Sequence, residues 1–429
     1  MSQLDIKPDN NNKLKGILPY IICAIAASFY VYEFLIRVMP SVMTSELMST
    51  YNIDTGGLGF MLALFFWGYT PLQIPVGLLY DKFGPRRLLT LSISICALAT
   101  FVFAWTDDIF IASIARLAMG ATGAFAYIGA LVTASRWFPA RYFAFYTGLV
   151  QMMGCIGSII GQSPVSAIKS HIGWRQTIMW IAMFGAIFAA LNWIIIRDHP
   201  DNKRARKTSK TSSSLKLGIV LKNPQTWWIG IAGFACWSPI TVFATLWGLP
   251  FLGNLYHIST TEATYLNDMI WIGIAIGSPI VGWWSNQSAS RNTPLKTCFL
   301  VGLLCAIGII YMGPLPKVLM GVLLLGFGFA ASAQAVTFGL VMDNNDKSMI
   351  GTAIGFNNMA VIAGGIIFQP LVGYLLQVLD PKIVQSSSGI IHTMQAYHWS
   401  LAVIPLCYVI GLLATQFLIK ETHCQRALK

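Results

Sequence analysis

Twelve stretches of mostly apolar residues, each long enough for a helix to cross a hydrocarbon core of ~30 Å, recur along this chain. They lie near residues 17–39, 58–79, 88–105, 109–137, 143–168, 176–196, 227–252, 263–285, 295–313, 318–341, 349–377 and 399–419. Only 10% of the 429 residues are charged and 55% are hydrophobic, so the apolar surface exceeds what a water-soluble core can enclose. The expectation is an all-α membrane protein of twelve spans. The first run is too long for the apolar region of a signal peptide and no small-x-small site follows it, so it is kept as span 1.

An even number of spans puts both termini on one side, and the cations say which side that is. Lys169, Arg175, Lys317 and Lys382 fall in the loops away from the termini, and Arg37 and Arg116 fall within spans. All the rest of the 28 Lys and Arg are on the side of the termini. Cations are retained in the cytoplasm during insertion, so both termini are expected there. The net charge of +12 then reports topology and not a nucleic-acid partner. The sequon Asn286-Gln-Ser288 lies on the inner side and the outward loops carry none, in keeping with a bacterial inner membrane. The eight cysteines show no Cys-x-x-Cys spacing, so neither a disulfide framework nor a metal site is indicated, and no cofactor is expected beyond a proton gradient.

Between spans 6 and 7 the composition changes to a basic, polar tract containing Lys203-Arg-Ala-Arg-Lys207. It reads as a linker, 197–224, between two six-helix units, 1–196 and 225–429. The units look duplicated. Gly77, Asp81 and Arg86 shifted by 205 fall on Gly282, Asn286 and Arg291. At a shift of 207, Gly148, Met152, Gly157, Ile159, Ile160 and Gln162 fall on Gly355, Met359, Gly364, Ile366, Ile367 and Gln369.

With the loop Gly77-x-x-x-Asp81-Lys82-x-Gly84-x-Arg86-Arg87, its degenerate copy at Gly282, and Arg116-x-x-x-Gly120-x-x-Gly123 in span 4, the chain resembles the major facilitator superfamily. That resemblance implies two helical bundles rocking about a central cavity. Gly77, Asp81, Gly84, Arg86 and Arg87, with Asn286 and Arg291 in the copy, then form a cytoplasmic gate. Gly77 and Gly84 let neighbouring helices approach closely, and Asp81 pairs with arginines and with a helix N-terminus of the facing half.

Charges inside hydrocarbon are costly and mark function. Glu33 and Arg37 in span 1, Arg116 in span 4 and Asp268 in span 8 are the ones found. At a rise of ~1.5 Å per residue, Glu33 and Arg116 sit at the same depth. Glu33 is therefore the expected proton-coupling carboxylate with Arg116 as its partner, a structural Glu33–Arg37 pair at i, i+4 being the alternative. Asp268 is either a second titrating site or a solvated helix-end residue. Arg37 is a substrate ligand or a charge at the lip. Tyr30 shares its face, and Trp271 lies one turn beyond Asp268. Gln151 and Asn358, equivalent under the repeat and near midplane depth, suit a substrate on the pseudo-twofold axis, with Asn357 and Gln334 beside them. Amides of this kind also bond helices to one another.

Three transport readings follow. Tyr32-Glu33-Phe-Leu-Ile-Arg37-Val-Met-Pro40-Ser41-Val-Met-Thr44 and Pro71-Leu-Gln-Ile-Pro75-Val-Gly77 resemble the phagosomal nutrient transporters of intracellular gammaproteobacteria, which implies proton-coupled uptake of an amino acid or nucleoside. Arg37-Val-x-x-Ser41 is similar to the span-1 segment of the anion:cation symporters, although Ile36 stands where an acidic residue is usual. Drug antiporters carry a Gly-Pro pair in span 5, whereas Gly161-Gln-Ser-Pro164 separates the two here, which weighs against drug or siderophore export. A non-transporting receptor is the remaining class. No nucleophile–base–acid set points to an enzyme. The expected partners are a small solute, protons and lipid, with the chain as a monomer.

Overall fold

The computed structural model describes residues 17–137, 143–196, 213–345, 350–380, 384–386 and 389–424. Span 1 is Leu18–Val38, prolonged by the 3-10 turn Met39–Val42; spans 2 and 3 are Thr55–Phe83 and Pro85–Trp105. Span 4 is built from Ile109–Gly123 and Phe125–Trp137, and spans 5 and 6 are Phe143–Ile172 and Trp174–Ile195. Span 7 runs through Pro224–Val242, the π-helical segment Phe243–Trp247 and Gly248–Tyr256. Spans 8 and 9 are Thr260–Gln287 and Asn292–Tyr311; span 10 is Lys317–Ala331 with Ala333–Asp343. Span 11 is Ile350–Leu379, and span 12 is Met394–Ser400 with Val403–Phe417. Short helices Thr44–Tyr51 and Ser213–Lys222 lie between spans, and a three-residue hairpin, Val384–Ser386 against Gly389–Ile391, follows span 11.

Local chemistry fixes the ends of these helices. Asp54 and Asp108 accept from the first-turn amides of spans 2 and 4, and Ser259 with Glu262 closes a capping box on span 8. Gly84 at φ +81° and Gly173 at φ +82° make the tight turns between spans 2 and 3 and between spans 5 and 6, a backbone region that a side chain would strain.

Eleven of the twelve expected spans are long and apolar enough to cross a membrane. Span 5, a helix of 30 residues, falls outside that set, and it carries Gln151, Ser158, Gln162, Ser163 and Ser166. Much of that polarity faces protein, because span 5 packs between span 1 of its own half and span 8 of the other. Lipid is met by other faces, such as Leu91, Ile95, Leu98, Phe101 and Trp105 down one side of span 3.

The main helix pairings of the first half recur in the second. Spans 2 and 4 pack together as do 8 and 10, spans 1 and 5 as do 7 and 11, and spans 3 and 6 as do 9 and 12. The closest crossings repeat as well. A Cβ built on Gly120 would come within 1.8 Å of the Phe65 carbonyl, and one on Gly68 within 2.2 Å of the Leu117 carbonyl. The same reciprocal embrace joins Gly328 to Ile270 O at 2.0 Å and Gly273 to Leu325 O at 2.1 Å. Backbone touches backbone at these points, so the helices cannot give way.

Between the halves, span 2 lies along span 11 and span 5 along span 8. Towards the face opposite the termini these seams are tight: a Cβ on Gly59 would reach Gln369 O at 2.7 Å, and one on Gly373 would reach Thr55 O at 2.4 Å. At the terminal face they part, and a Cβ on Gly77, Gly148, Gly282 or Gly351 would meet no atom of the described residues within 4 Å. The chain is thus closed on the face opposite its termini and open on the terminal face.

Gly120→Ala is expected to lower the Tm of the detergent-solubilised protein by about 5 °C or more, while Gly77→Ala leaves it within error; thermal unfolding of the two variants checks this. A second test concerns the tail. Burial disfavours the charge on Glu421, but the amides of Arg291, Asn292 and His423 and the Ser290 hydroxyl outweigh it and hold the carboxyl at about 2. A depressed folded-state value stabilises above the unfolded carboxylate range and is lost as pH falls towards 2. Glu421→Gln should therefore lower Tm at neutral pH, and the gap should close progressively on acidification below about pH 4.5.

Candidate functional site

A central cavity enclosing about 320 Å³, counting the part open to solvent, lies between the halves. Span 1 contributes Tyr30, Phe34 and Arg37, one helix face at i, i+4 and i+7. Tyr69 of span 2, Tyr127 of span 4 and Gln151 of span 5 complete the first half's wall, and Trp237, Gln334, Phe338, Asn358 and Ile362 form the other. Five of the seven residues expected at the substrate therefore meet here: Tyr30, Arg37, Gln151, Gln334 and Asn358.

The other two are occupied elsewhere. Asn357 is buried and donates to Thr337 Oγ1 within the second half. Trp271 is also buried and donates through Nε1 to Gln162 Oε1 at 3.1 Å, so it belongs to the seam on the closed side. Asn358 does more than face the cavity: its amide donates to Gln73 Oε1 at 2.5 Å, a bond between spans 11 and 2 across the two halves.

Arg37 is the charge of the cavity wall. Its Nε and Nη2 donate to Glu33 Oε1 at 2.9 and 2.5 Å, and the guanidinium lies over the rings of Phe34 at 4.3 Å and Tyr69 at 4.9 Å. The side chains are 1% and 0% exposed, and Glu33 Oε2 has no partner among the described residues. A charge pair this dry survives because each ion is the other's replacement for water, with the rings adding cation–π attraction.

The expected Glu33–Arg116 pair does not form. Arg116 Nη1 donates to the Ile36 carbonyl at 3.0 Å, and its guanidinium sits between Phe65 and Phe103 at 5.0 and 5.9 Å. Equal depth brings the two residues near each other, but an arginine one turn along the same helix reaches the carboxylate first. Asp268 is not a solvated helix-end residue: it is 6% exposed, and its Oδ2 is hydrogen-bonded to Ser163 of the opposite half.

The described contacts of Arg86, Asn286 and Arg291 lie within their own halves. Arg86 donates twice to the Trp193 carbonyl and stacks on that ring at 4.3 Å. Arg291 pairs with Asp343 at 2.9 Å and donates to Asn286 Oδ1 at 3.2 Å. Arg87 is exposed, Gly77 makes no close approach, and Gly84 serves the turn. The side chain of Asp81 lies outside the described residues.

Sequence reasoning missed the aromatic wall. Phe34 was within reach, four residues from Tyr30, but Tyr69, Tyr127, Trp237 and Phe338 look like any aromatic in an apolar span, since composition does not separate a cavity face from a lipid face. Gln162 was visible as a repeat match, yet its role is spatial. Its Nε2 donates to Ala244 O at 2.8 Å and to Ser41 Oγ at 3.2 Å, and its Oε1 accepts from Asn267 at 2.9 Å and from Trp271. The Ala244 carbonyl, in the π-helical segment, accepts from Asn267 as well.

The chain is similar to the hexuronate transporter of Escherichia coli (strain K12), 23% identical over 86% of this chain and 89% of that one. It is also similar to the probable galactarate/D-glucarate transporter of the same strain, 22% identical over 79% and 83%. An uncharacterised transporter of Bacillus subtilis (strain 168) is 21% identical over 85% and 89%. In fold, it resembles a bacterial homolog to the human lysosomal transporter Spinster in its inward-facing, unoccupied conformation, with TM-score 0.71 and 13% identity over 95% of this chain and 98% of that one. A family model described as Major Facilitator Superfamily matches residues 21–370, most of the chain. The twelve-span pattern, the paired halves, the cavity between them and these matches lead to one conclusion: this chain belongs to the Major Facilitator Superfamily and is a transporter, not an enzyme.

Proposed function

We propose that the chain takes up a small organic anion together with protons, with Arg37 binding the substrate's carboxylate or other acidic group and Glu33 carrying the proton. The carrying observation is the dry Glu33–Arg37 pair at the cavity wall, in which a single carboxylate oxygen engages the guanidinium and the other is bare. Glu33 and a substrate anion compete for one cation. Protonating Glu33 frees Arg37 for the substrate, and releasing the substrate returns Arg37 to an ionised Glu33. Leaving Arg37 buried without any anion costs on the order of 3–5 kcal/mol, so an empty, protonated site is disfavoured and the two cargoes travel together. Arg116 tunes the site through its grip on the span-1 backbone at Ile36.

The amides Gln151, Gln334 and Asn358 suit hydroxyl groups, and the aromatic rings suit the apolar face of a sugar acid. Relatives named for galactarate and D-glucarate, for hexuronate and for sulfoacetate fit that chemistry. An amino acid would offer Arg37 the same carboxylate; a nucleoside would not. The charge distribution of the loops supports cytoplasmic termini in a bacterial inner membrane, so the open terminal face is the cytoplasmic one. The loops at Gly77 and Gly282 then meet helix ends of the facing half when that face closes.

Purified protein screened by thermal shift against hexuronates, aldarates, sulfoacetate, amino acids and nucleosides should gain Tm with an organic anion, the gain being larger at about pH 5 than at about pH 8. Arg37→Gln should abolish it; stabilisation by nucleosides alone sinks the anion reading. In proteoliposomes, Glu33→Gln should keep solute exchange but lose accumulation driven by a pH gradient. Accumulation at the parent level in that variant removes Glu33 from coupling.

A further inference from the structure

The seam that closes the face opposite the termini holds a carboxylate with no counter-ion. Asp268 of span 8 is 6% exposed, its Oδ1 has no partner among the described residues and its Oδ2 meets Ser163 Oγ of span 5. Ser163 Oγ is also 2.9 Å from Thr264 Oγ1, and the Thr264 hydroxyl donates to the Thr261 carbonyl at 2.7 Å. One turn along, Ser166 bonds Thr261 Oγ1 at 2.8 Å. Span 5 and span 8 therefore meet along a strip of hydroxyls that ends on Asp268.

Buried charge decides the state of that strip. Thr264 spends its one hydrogen on Thr261 O, and Ser163 has one hydrogen for two neighbours. If Asp268 is ionised, Ser163 must donate to it, and an anion with one hydroxyl for company is buried in the seam. If Asp268 carries a proton on Oδ2, a one-way chain forms: Asp268 donates to Ser163, Ser163 to Thr264, and Thr264 to the Thr261 carbonyl. Each hydrogen is then used once and no charge is buried.

Among the described residues, no cation is available to change this count. On span 5, Lys169 is paired with Glu46 of the helix Thr44–Tyr51, and His171 lies beyond it at the helix end. On span 8 itself, Glu262 is committed to the Ser259 cap, and Lys317 begins span 10. Asp343 of span 10 is paired with Arg291 towards the terminal face, and Lys296 of span 9 lies near that end too. The turn Met39–Val42 and span 7 bring no ionised group.

We infer that Asp268 is a second proton-binding site, one that fastens the gate opposite the termini when protonated and releases it when ionised. Opening the seam parts Ser163 from Asp268 and lets water reach the carboxylate, which then gives its proton to that side; closing requires a proton to be taken from the same side. The site lies in the seam and not at the Arg37 cavity. It rests on alternating access and not on the identity of the solute, so failure of the substrate assignment leaves it standing.

The test is a distance between nitroxides at Ser170→Cys, on the exposed end of span 5, and Tyr265→Cys, on the outer surface of span 8, in a Cys424→Ser background, the other seven thiols being buried. Measured by pulsed electron resonance in nanodiscs without solute, the parent should show one short distance at about pH 5 and a growing longer component towards about pH 8. Asp268→Asn, whose amide donates to Ser163 as the protonated acid would, should stay short throughout. Ser163→Ala, which removes the acceptor, should move the opening midpoint down by about one pH unit, the effect of one lost hydrogen bond, and it tests the site even if the asparagine variant fails to fold. A parent distance independent of pH, an Asp268→Asn protein that opens with pH as the parent does, or an unchanged midpoint in Ser163→Ala overturns the inference.

Discussion

Hydrocarbon offers no partner to a polar group, and that constraint sorts every interaction in this protein into permanent or reversible. Within each half the spans are joined by backbone-on-backbone glycine crossings, Gly68 with Gly120 and Gly273 with Gly328. Such contacts gain close packing and lose nothing to water, so they hold in every state. Between the halves, the closed side is held by hydrogen bonds, Gln162 to Ala244 and Asn267 and Ser163 to Asp268, and Asn358 bonds Gln73 beside the cavity. Water can take over each of these bonds once it enters, which makes the seam the part able to open.

The ionisable groups follow the same division. Glu33 and Arg37 are buried in one wall and satisfy each other, while Arg116 is enclosed by rings and a carbonyl of the same half. Asp268 alone among the in-span charges reaches across the halves. Among the described residues, the cavity wall thus holds an arginine paired with a carboxylate of its own helix, and the seam holds an acid that meets only a hydroxyl of the other half.

Much of the architecture was legible before any coordinates. Span length, the run of cations on one side and the repeat at shifts of 205 and 207 gave the twelve helices and their pairing into halves, because membrane crossing and duplication are written locally. The charges Glu33, Arg37, Arg116 and Asp268 stood out for the same reason: insertion alone does not explain them. Which of them touch was not legible. Depth along a helix axis placed Glu33 level with Arg116, but rotation about the axis and the competing reach of Arg37 decided the pair.

The sequence by itself determined that this chain spans a membrane, how often, and which few polar side chains are worth a cost in lipid, since hydrophobic length and charge are properties of the chain alone. Only the tertiary structure decided that Trp271 and Asn357 leave the cavity for other bonds, that Tyr69, Tyr127, Trp237 and Phe338 enter it, and that Asp268 meets Ser163. The physical reason is that an aromatic ring or an amide in an apolar helix is equally content against lipid, a neighbouring helix or a cavity. The choice belongs to the helices packed around it, which the residue's own place in the sequence does not record.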